Sequence, residues 1–175
     1  MKKKINFISD QLNKYGYCII ENILNKKECF DYLDSIEKLR KLLNKNKYHE
    51  DELTNFGQVI IRDLVLRDPK TFLKLIDKKI VNQTLKKIFN DKFILDNCMA
   101  SNSIKEIENY KSLAHIDSHL ATTQTINTSD IVVLFCLDNF TKENGCTKIW
   151  PGSHLTGIRI QNEKQNLIKK KNLNM

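Results

Sequence analysis

The sequence lacks any long apolar run. No stretch approaches the roughly 20 apolar residues that a membrane span requires. The opening segment MKKKINFISDQLNKYG has the basic start of a secretory signal, but polar residues interrupt it where such a signal needs an apolar run. Both absences argue against a membrane-spanning or secreted protein. We therefore expect a cytoplasmic protein with no membrane partner.

The sequence also lacks any Cys-x-x-Cys pair. Its five cysteines are scattered, and their number is odd, which argues against a disulfide framework or a zinc ribbon. We expect reduced thiols that mostly fill space in the core, and no local pattern marks one of them as reactive. The cysteines are Cys18, Cys29, Cys98, Cys136 and Cys146.

A basic stripe interleaved with aromatic residues is missing as well. The formal net charge is +8, yet the lysines are spread along the chain and form short runs only near its two ends. A nucleic-acid-binding protein would concentrate this charge on one face. The charge therefore favours a solvated surface, and we expect no nucleic-acid partner.

What is present fits one soluble domain over residues 1–175, with helices concentrated in residues 1–90. A short helix is predicted over 6–14, ended by Gly16. A longer helix is predicted to begin near Asn25, because Glu28 three places on completes a capping box and apolar residues follow at steps of three and four. Asp68 and Pro69 predict the start of another helix, and a further helix is predicted over about 79–89.

Short extended runs dominate residues 91–154, and a basic tail follows over 155–175. Strands are predicted for GYCIIEN, QVIIRDLVL, KFILDNCMAS, YKSLAHID and DIVVLFCLDNF. Asn144-Gly145 has the turn chemistry of a hairpin. Helices in the first half and strands in the second predict an α+β domain whose β core is mainly antiparallel.

Two of the four histidines flank an aspartate in AHIDSHLATTQ. On an extended strand His115 and Asp117 point to the same side with Cα atoms about 6.6 Å apart, close enough to bind one metal ion. His119 lies about 13 Å from His115 on such a strand, too far to join them without a bend. The alternative is a strand end where histidine and aspartate hydrogen-bond each other in solvent. His49, in KYHED, is predicted to lie on the surface.

The sequence DIVVLFCLDNFTKENGCTKIWPGSH resembles the phytanoyl-CoA dioxygenase family. Its apolar strand, Thr-x-Glu-Asn-Gly turn, second strand and Pro-Gly-Ser-His segment follow the family pattern, in which a His-x-Asp pair precedes Pro-Gly-Ser-His by a few tens of residues. Here His115 precedes His154 by 39 positions. The segment YGYCIIENILNKKECFDYLDSI is similar to the family's N-terminal strand and helix, so the likeness runs from about Tyr15 to His154.

The resemblance implies a double-stranded β-helix, or jelly-roll, with the N-terminal helices packed on it. It also implies a dioxygenase that binds Fe(II), uses 2-oxoglutarate and O2 as co-substrates and hydroxylates a small organic substrate. His115 and Asp117 are then two metal ligands and the catalytic residues. His119 and His154 are candidates for two roles: contacting the metal ligands from outside the coordination sphere, or facing the substrate. For His154, a loop histidine bonded to backbone groups is an equal alternative. Thr141 and Glu143 are expected to serve as turn and cap residues, and Trp150 as a core anchor.

The family pattern also contains a second histidine ligand downstream of Pro-Gly-Ser-His and an arginine that grips 2-oxoglutarate. Only 21 residues follow His154, they contain no histidine, and Arg159 cannot be matched to the family's arginine. Three explanations remain open: a truncated dioxygenase, which we favour; a complete protein that has lost catalysis; or an unusual site completed by His119 or His154. A non-catalytic jelly-roll that binds a ligand or a protein is the alternative function. The resemblance does not identify the substrate.

Overall fold

The computed structural model describes residues 1–45, 58–103 and 128–156. Most of the regular structure is helical and precedes residue 90. In chain order the elements are α1 (Lys2–Tyr15), α2 (Lys26–Lys45), β1 (Gln58–Ile61), α3 (Leu64–Arg67), α4 (Pro69–Ile76), α5 (Lys79–Phe89) and β2 (Ala100–Ser103), followed by 3-10 turns at Lys142–Asn144 and Ser153–Leu155. No helix within these ranges has the length and apolarity needed to cross a bilayer.

Helix α2 begins at the predicted capping box. The Asn25 side-chain oxygen accepts a hydrogen bond from the Glu28 backbone N–H at 2.9 Å, and the Glu28 carboxylate accepts one from the Asn25 N–H at 2.9 Å. The same carboxylate pairs with Lys78, the residue before α5. The hydrogen bond from Lys78, followed by that from Asn25, lowers the pKa of Glu28. This pair therefore links the first turn of α2 to the start of α5.

Helix α1 begins earlier than the predicted 6–14 and ends where expected. Gly16 caps it with a left-handed backbone at φ +79°, and its N–H donates to the Leu12 carbonyl. The helix packs against α5, burying Ile8. The Lys87 ammonium of α5 donates to the Asn6 side-chain oxygen at 2.8 Å.

The core lies where α2, α4 and the β1–α3 segment meet. Phe72 of α4 is fully buried, with a relative exposure of 0%. Its ring lies 6.0 Å, centroid to centroid, from that of Tyr32 on α2, a separation typical of favourable aromatic pairs. The buried cluster consists of Tyr32, Leu43, Ile61, Leu64, Phe72 and Leu75.

The one sheet formed by the described residues pairs β1 with β2 antiparallel, with Ile61 opposite Ala100. The strand predicted for QVIIRDLVL is correct for Gln58–Ile61 and wrong for the rest. Asp63 adopts a left-handed backbone at φ +58°, which ends the strand, and the chain continues as α3. The Leu64 N–H then donates to the Cys98 carbonyl at 2.9 Å, which holds the start of α3 beside the chain that leads into β2.

The predicted strands GYCIIEN and DIVVLFCLDNF are not formed, and KFILDNCMAS is a strand only from Ala100 on. Residues 134–138 still show the alternation of extended chain: Phe135 and Leu137 pack against the core, whereas Leu134 and Cys136 are exposed. What this segment lacks, within the described part of the chain, is a ladder of hydrogen bonds to a neighbouring strand. YKSLAHID lies outside the described residues. The jelly-roll therefore remains an expectation from the family.

Asp68 caps α4 as predicted. Its carboxylate accepts from the Thr71 N–H at 3.1 Å and from the Ser35 hydroxyl of α2 at 2.7 Å. We expect Asp68→Ala to lower the free energy of unfolding by about 1 kcal/mol, the usual cost of losing a side-chain cap. Urea denaturation at neutral pH measures this loss.

The charge of Asp68 adds a dependence on pH. Hydrogen bonds from Thr71 and then Ser35 lower the pKa of this carboxyl in the folded protein. Its stabilising contribution is therefore complete above the unfolded pKa of about 3.9 and is lost as the pH falls through the lower folded value. The control Asp68→Asn keeps an acceptor oxygen without the charge. Wild type should exceed this variant in stability at neutral pH, and the gap should close as the pH falls below the unfolded pKa and through the lower folded value. A constant gap would contradict the assignment.

Candidate metal site and the Pro-Gly-Ser-His loop

The predicted metal ligands fall in a part of the chain that the structure does not describe. His115, Asp117 and His119 lie within residues 104–127, and His49 lies within 46–57. Their roles therefore stay predictions. Among the described residues, no group of three or more His, Cys, Asp or Glu side chains is placed to hold a metal ion.

The Thr-x-Glu-Asn-Gly segment forms a turn as predicted, but the hairpin predicted around Asn144-Gly145 is wrong, because no paired strands flank this turn among the described residues. The Asn144 side chain accepts from the Thr141 N–H at 2.8 Å, and the Asn144 N–H donates to the Thr141 carbonyl at 3.3 Å. Gly145 follows with the predicted positive φ, at +84°. A hydrogen bond from Thr141 lowers the pKa of Glu143. Thr141 and Glu143 thus act within the turn, as expected from the sequence.

The Pro-Gly-Ser-His loop, residues 151–154, folds as a tight turn at the end of α1. Gly152 has a φ of +74° and precedes the 3-10 turn Ser153–Leu155. Its N–H donates to the Tyr15 carbonyl at 2.8 Å. The backbone of the loop is therefore bound directly to the last residue of α1.

His154 makes a second bond to the same helix end. Its Nε2 lies 3.0 Å from the Asn13 carbonyl oxygen. A carbonyl oxygen only accepts hydrogen bonds, so the Nε2 atom must carry the proton that it donates. The side chain is solvent-exposed apart from these contacts. The sequence left His154 either a role near the metal and substrate or a place as a loop histidine bonded to backbone groups. The observed geometry is that of the second alternative.

Gly16 leaves the space that the His154 ring occupies. A Cβ atom added at Gly16 would lie 2.5 Å from His154 Nδ1, closer than real Cβ contacts come. Its positive φ independently favours glycine. A Cβ atom added at Gly152 would meet no atom within 4 Å, although its φ is similar. Gly16 therefore serves two purposes, ending the helix and admitting the imidazole.

The thiols show no sign of activation. All five cysteines are free, and none of them is fully buried, contrary to the expectation that they mostly fill the core. Desolvation raises the pKa of Cys18, Cys98 and Cys136. Cys18 borders an open cavity of about 410 Å³ beside α1, and its neutral thiol is a poor nucleophile there.

Sequence reasoning did not find the partners of the Pro-Gly-Ser-His loop. Asn13 and Tyr15 act through backbone carbonyls, which every residue possesses, so no side-chain pattern marks them. Gly16 was predicted correctly as the end of α1. Because that local role is a sufficient reason for a glycine, its sequence position does not indicate that the His154 ring lies beside it. Trp150 is half-buried, and its role as a core anchor stays a prediction.

Comparison with models of protein families shows which family the chain matches. The sequence model of the family described as Phytanoyl-CoA dioxygenase (PhyH) matches residues 12–171. No curated protein and no solved structure matches the chain. The matched range covers most of the sequence and includes the His-x-Asp pair, the Thr-x-Glu-Asn-Gly turn and the Pro-Gly-Ser-His loop. The chain therefore belongs to the phytanoyl-CoA dioxygenase family.

Proposed function

We propose that the protein is an Fe(II)- and 2-oxoglutarate-dependent oxygenase that hydroxylates a small organic substrate. The observation that carries this proposal is the family match over residues 12–171, since the family is typically composed of such oxygenases. His115 and Asp117 lie inside the matched range with the expected spacing to the Pro-Gly-Ser-His loop. They are the residues to which we assign the metal.

The chemistry of the two side chains fits the ion. A neutral imidazole and a hard carboxylate suit Fe(II), and His115 and Asp117 would supply two members of the 2-His-1-carboxylate set of non-haem iron oxygenases, which leaves positions open for co-substrates. When bound, the iron supplies the activation of O2 in concert with the keto acid. Asp117 contributes a negative charge that offsets part of the ion's charge. His115 must be deprotonated to bind, so protons compete with the metal.

Metal binding is the direct test of this assignment. We expect isothermal titration calorimetry of the 175-residue chain with Mn(II), an air-stable substitute for Fe(II), to detect one site. His115→Ala and Asp117→Ala should each weaken binding by more than about tenfold, because even partners outside the first coordination sphere change metal affinity by about 10- to 100-fold.

Matched controls separate the two ligands from general surface effects. His49→Ala removes a histidine predicted to lie on the surface, and Asp10→Ala removes an exposed aspartate of α1. Both should bind Mn(II) as the wild type does. Equal binding by all five proteins, or no binding by the wild type, would contradict the assignment of His115 and Asp117.

A further inference from the structure

The Pro-Gly-Ser-His loop and the end of α1 come from opposite ends of the described chain. His154 and Asn13 are 141 positions apart, yet the Nε2–O distance is 3.0 Å. The second bond runs from the Gly152 N–H to the Tyr15 carbonyl at 2.8 Å. Two bonds from one short loop to one helix end fix both its position and its orientation.

The acceptors are available because they end a helix. The last four carbonyls of an α-helix have no partner within the helix, and Gly16 satisfies only that of Leu12. Of the three other carbonyls, those of Asn13, Lys14 and Tyr15, the loop supplies one donor each to Asn13 and Tyr15. The negative end of the helix dipole also favours donors at this place.

One nitrogen atom of the His154 ring is hydrogen-bonded in this arrangement, and the other lies beside Gly16. Nε2 donates its proton to Asn13, so its lone pair is not available to a metal. Nδ1 lies close to Gly16, since a Cβ atom added there would be 2.5 Å from it. A metal ion would have to displace the contact with Asn13 to bind Nε2.

We propose that His154 is a positioning residue, which holds the Pro-Gly-Ser-His loop on the end of α1 through the Asn13 carbonyl and does not bind the metal. The statement about the metal rests on the proposed function, whereas the statement about the loop does not. Of the two histidines that sequence analysis left as substitutes for the missing ligand, His154 is thereby assigned another role. The proposal makes α1 part of the support of this family motif.

Hydrogen exchange of the Gly152 amide tests the positioning role, because this amide is not itself mutated. His154→Ala should speed its exchange by about fivefold, the effect of one lost hydrogen bond. His154→Gln should restore protection, since its amide nitrogen can donate from nearly the same place as Nε2. Lys87→Ala removes another exposed hydrogen bond to α1 and should leave Gly152 unchanged. Unchanged protection in His154→Ala would overturn the positioning role.

The two glycines provide a second, steric test. Gly16→Ala and Gly152→Ala carry similar positive-φ strain, but only the former introduces a clash with His154. Gly16→Ala should therefore lower the melting temperature more. His154→Ala should lower it by roughly 2–4 °C in the wild type and raise it in the Gly16→Ala background. The same effect of His154→Ala in both backgrounds would contradict the contact.

Mn(II) titration tests the remaining part of the proposal. His154→Ala should keep the wild-type affinity to within about twofold, whereas loss of a ligand costs more than about tenfold. A tenfold loss in His154→Ala that His154→Gln does not restore would identify His154 as a ligand and overturn the assignment. Failure of the wild type to bind Mn(II) would reject the proposed function, and the exchange experiment would still decide the positioning role.

Discussion

Replacing Phe72 by alanine is expected to lower the free energy of unfolding by about 3–5 kcal/mol, the usual cost of removing a buried phenylalanine ring. Phe72 has no exposed surface and packs against Tyr32 of α2 with a centroid distance of 6.0 Å. Removing its ring leaves a cavity among α2, α4 and the β1–α3 segment. Because native domains are stable by only about 5–15 kcal/mol, this single change removes a large part of the total.

Phe30 provides the matched control for this prediction. It is the same residue type on α2, and 68% of its surface is exposed. Phe30→Ala should change the free energy of unfolding by less than about 0.5 kcal/mol, as surface substitutions usually do. Urea denaturation followed by circular dichroism measures both variants. Equal losses at the two positions would mean that the core does not lie around Phe72.

The helices were predictable because their determinants are local. The capping box of Asn25 and Glu28, the Asp68-Pro69 start and the helix-ending Gly16 each depend on residues within four positions of one another. Such local interactions do not depend on tertiary contacts, so the sequence alone is enough to predict them. What the sequence missed was the length of α1, whose first turn carries three lysines and no capping side chain.

The strands were less predictable because a strand requires a partner. The continuous apolar run over 131–137 indicates extended chain correctly, since Phe135 and Leu137 pack against the core and Leu134 and Cys136 between them are exposed. Composition does not specify which segment pairs with it, and hydrogen bonding to a neighbour is what distinguishes a strand from extended chain. Asp63 has a left-handed backbone conformation, so the strand ends there and a helix follows although the sequence is rich in β-branched residues. Strand propensity does not predict the conformation of this one residue.

In the candidate site, too, the local features were predictable and the long-range contacts were not. The turn at Thr141–Gly145 was predictable from its residue types, because a capping side chain and a glycine act on their own neighbours. The position of His154 was not, because its partner is a backbone carbonyl 141 residues away. His115 and Asp117 were found from their two-residue spacing and the family resemblance, and a functional experiment is what tests them.

The largest functional effect is expected at Asp117. Asp117→Ala should reduce Fe(II)-dependent release of CO2 from 2-oxoglutarate by more than about a hundredfold, since changes just outside the coordination sphere already cost about 10- to 100-fold. The variant loses the only negatively charged donor assigned to the metal, so the ion is held with one fewer bond and less charge compensation. His115→Ala should behave alike, because each variant removes one of the two side chains that we propose as metal ligands.

The measurement uses the protein together with any coding segment that follows residue 175. It supplies labelled 2-oxoglutarate and compares turnover with and without Fe(II). Asp10→Ala is the control, because this exposed aspartate lies on α1 and should leave turnover at the wild-type level. His154→Ala separates a positioning role from a ligand role. If His154 is a positioning residue, His154→Gln should restore the turnover that His154→Ala loses. His115→Gln should not restore the turnover that His115→Ala loses. Wild-type turnover in both the Asp117→Ala and the His115→Ala variants would rule out these two residues as the iron ligands.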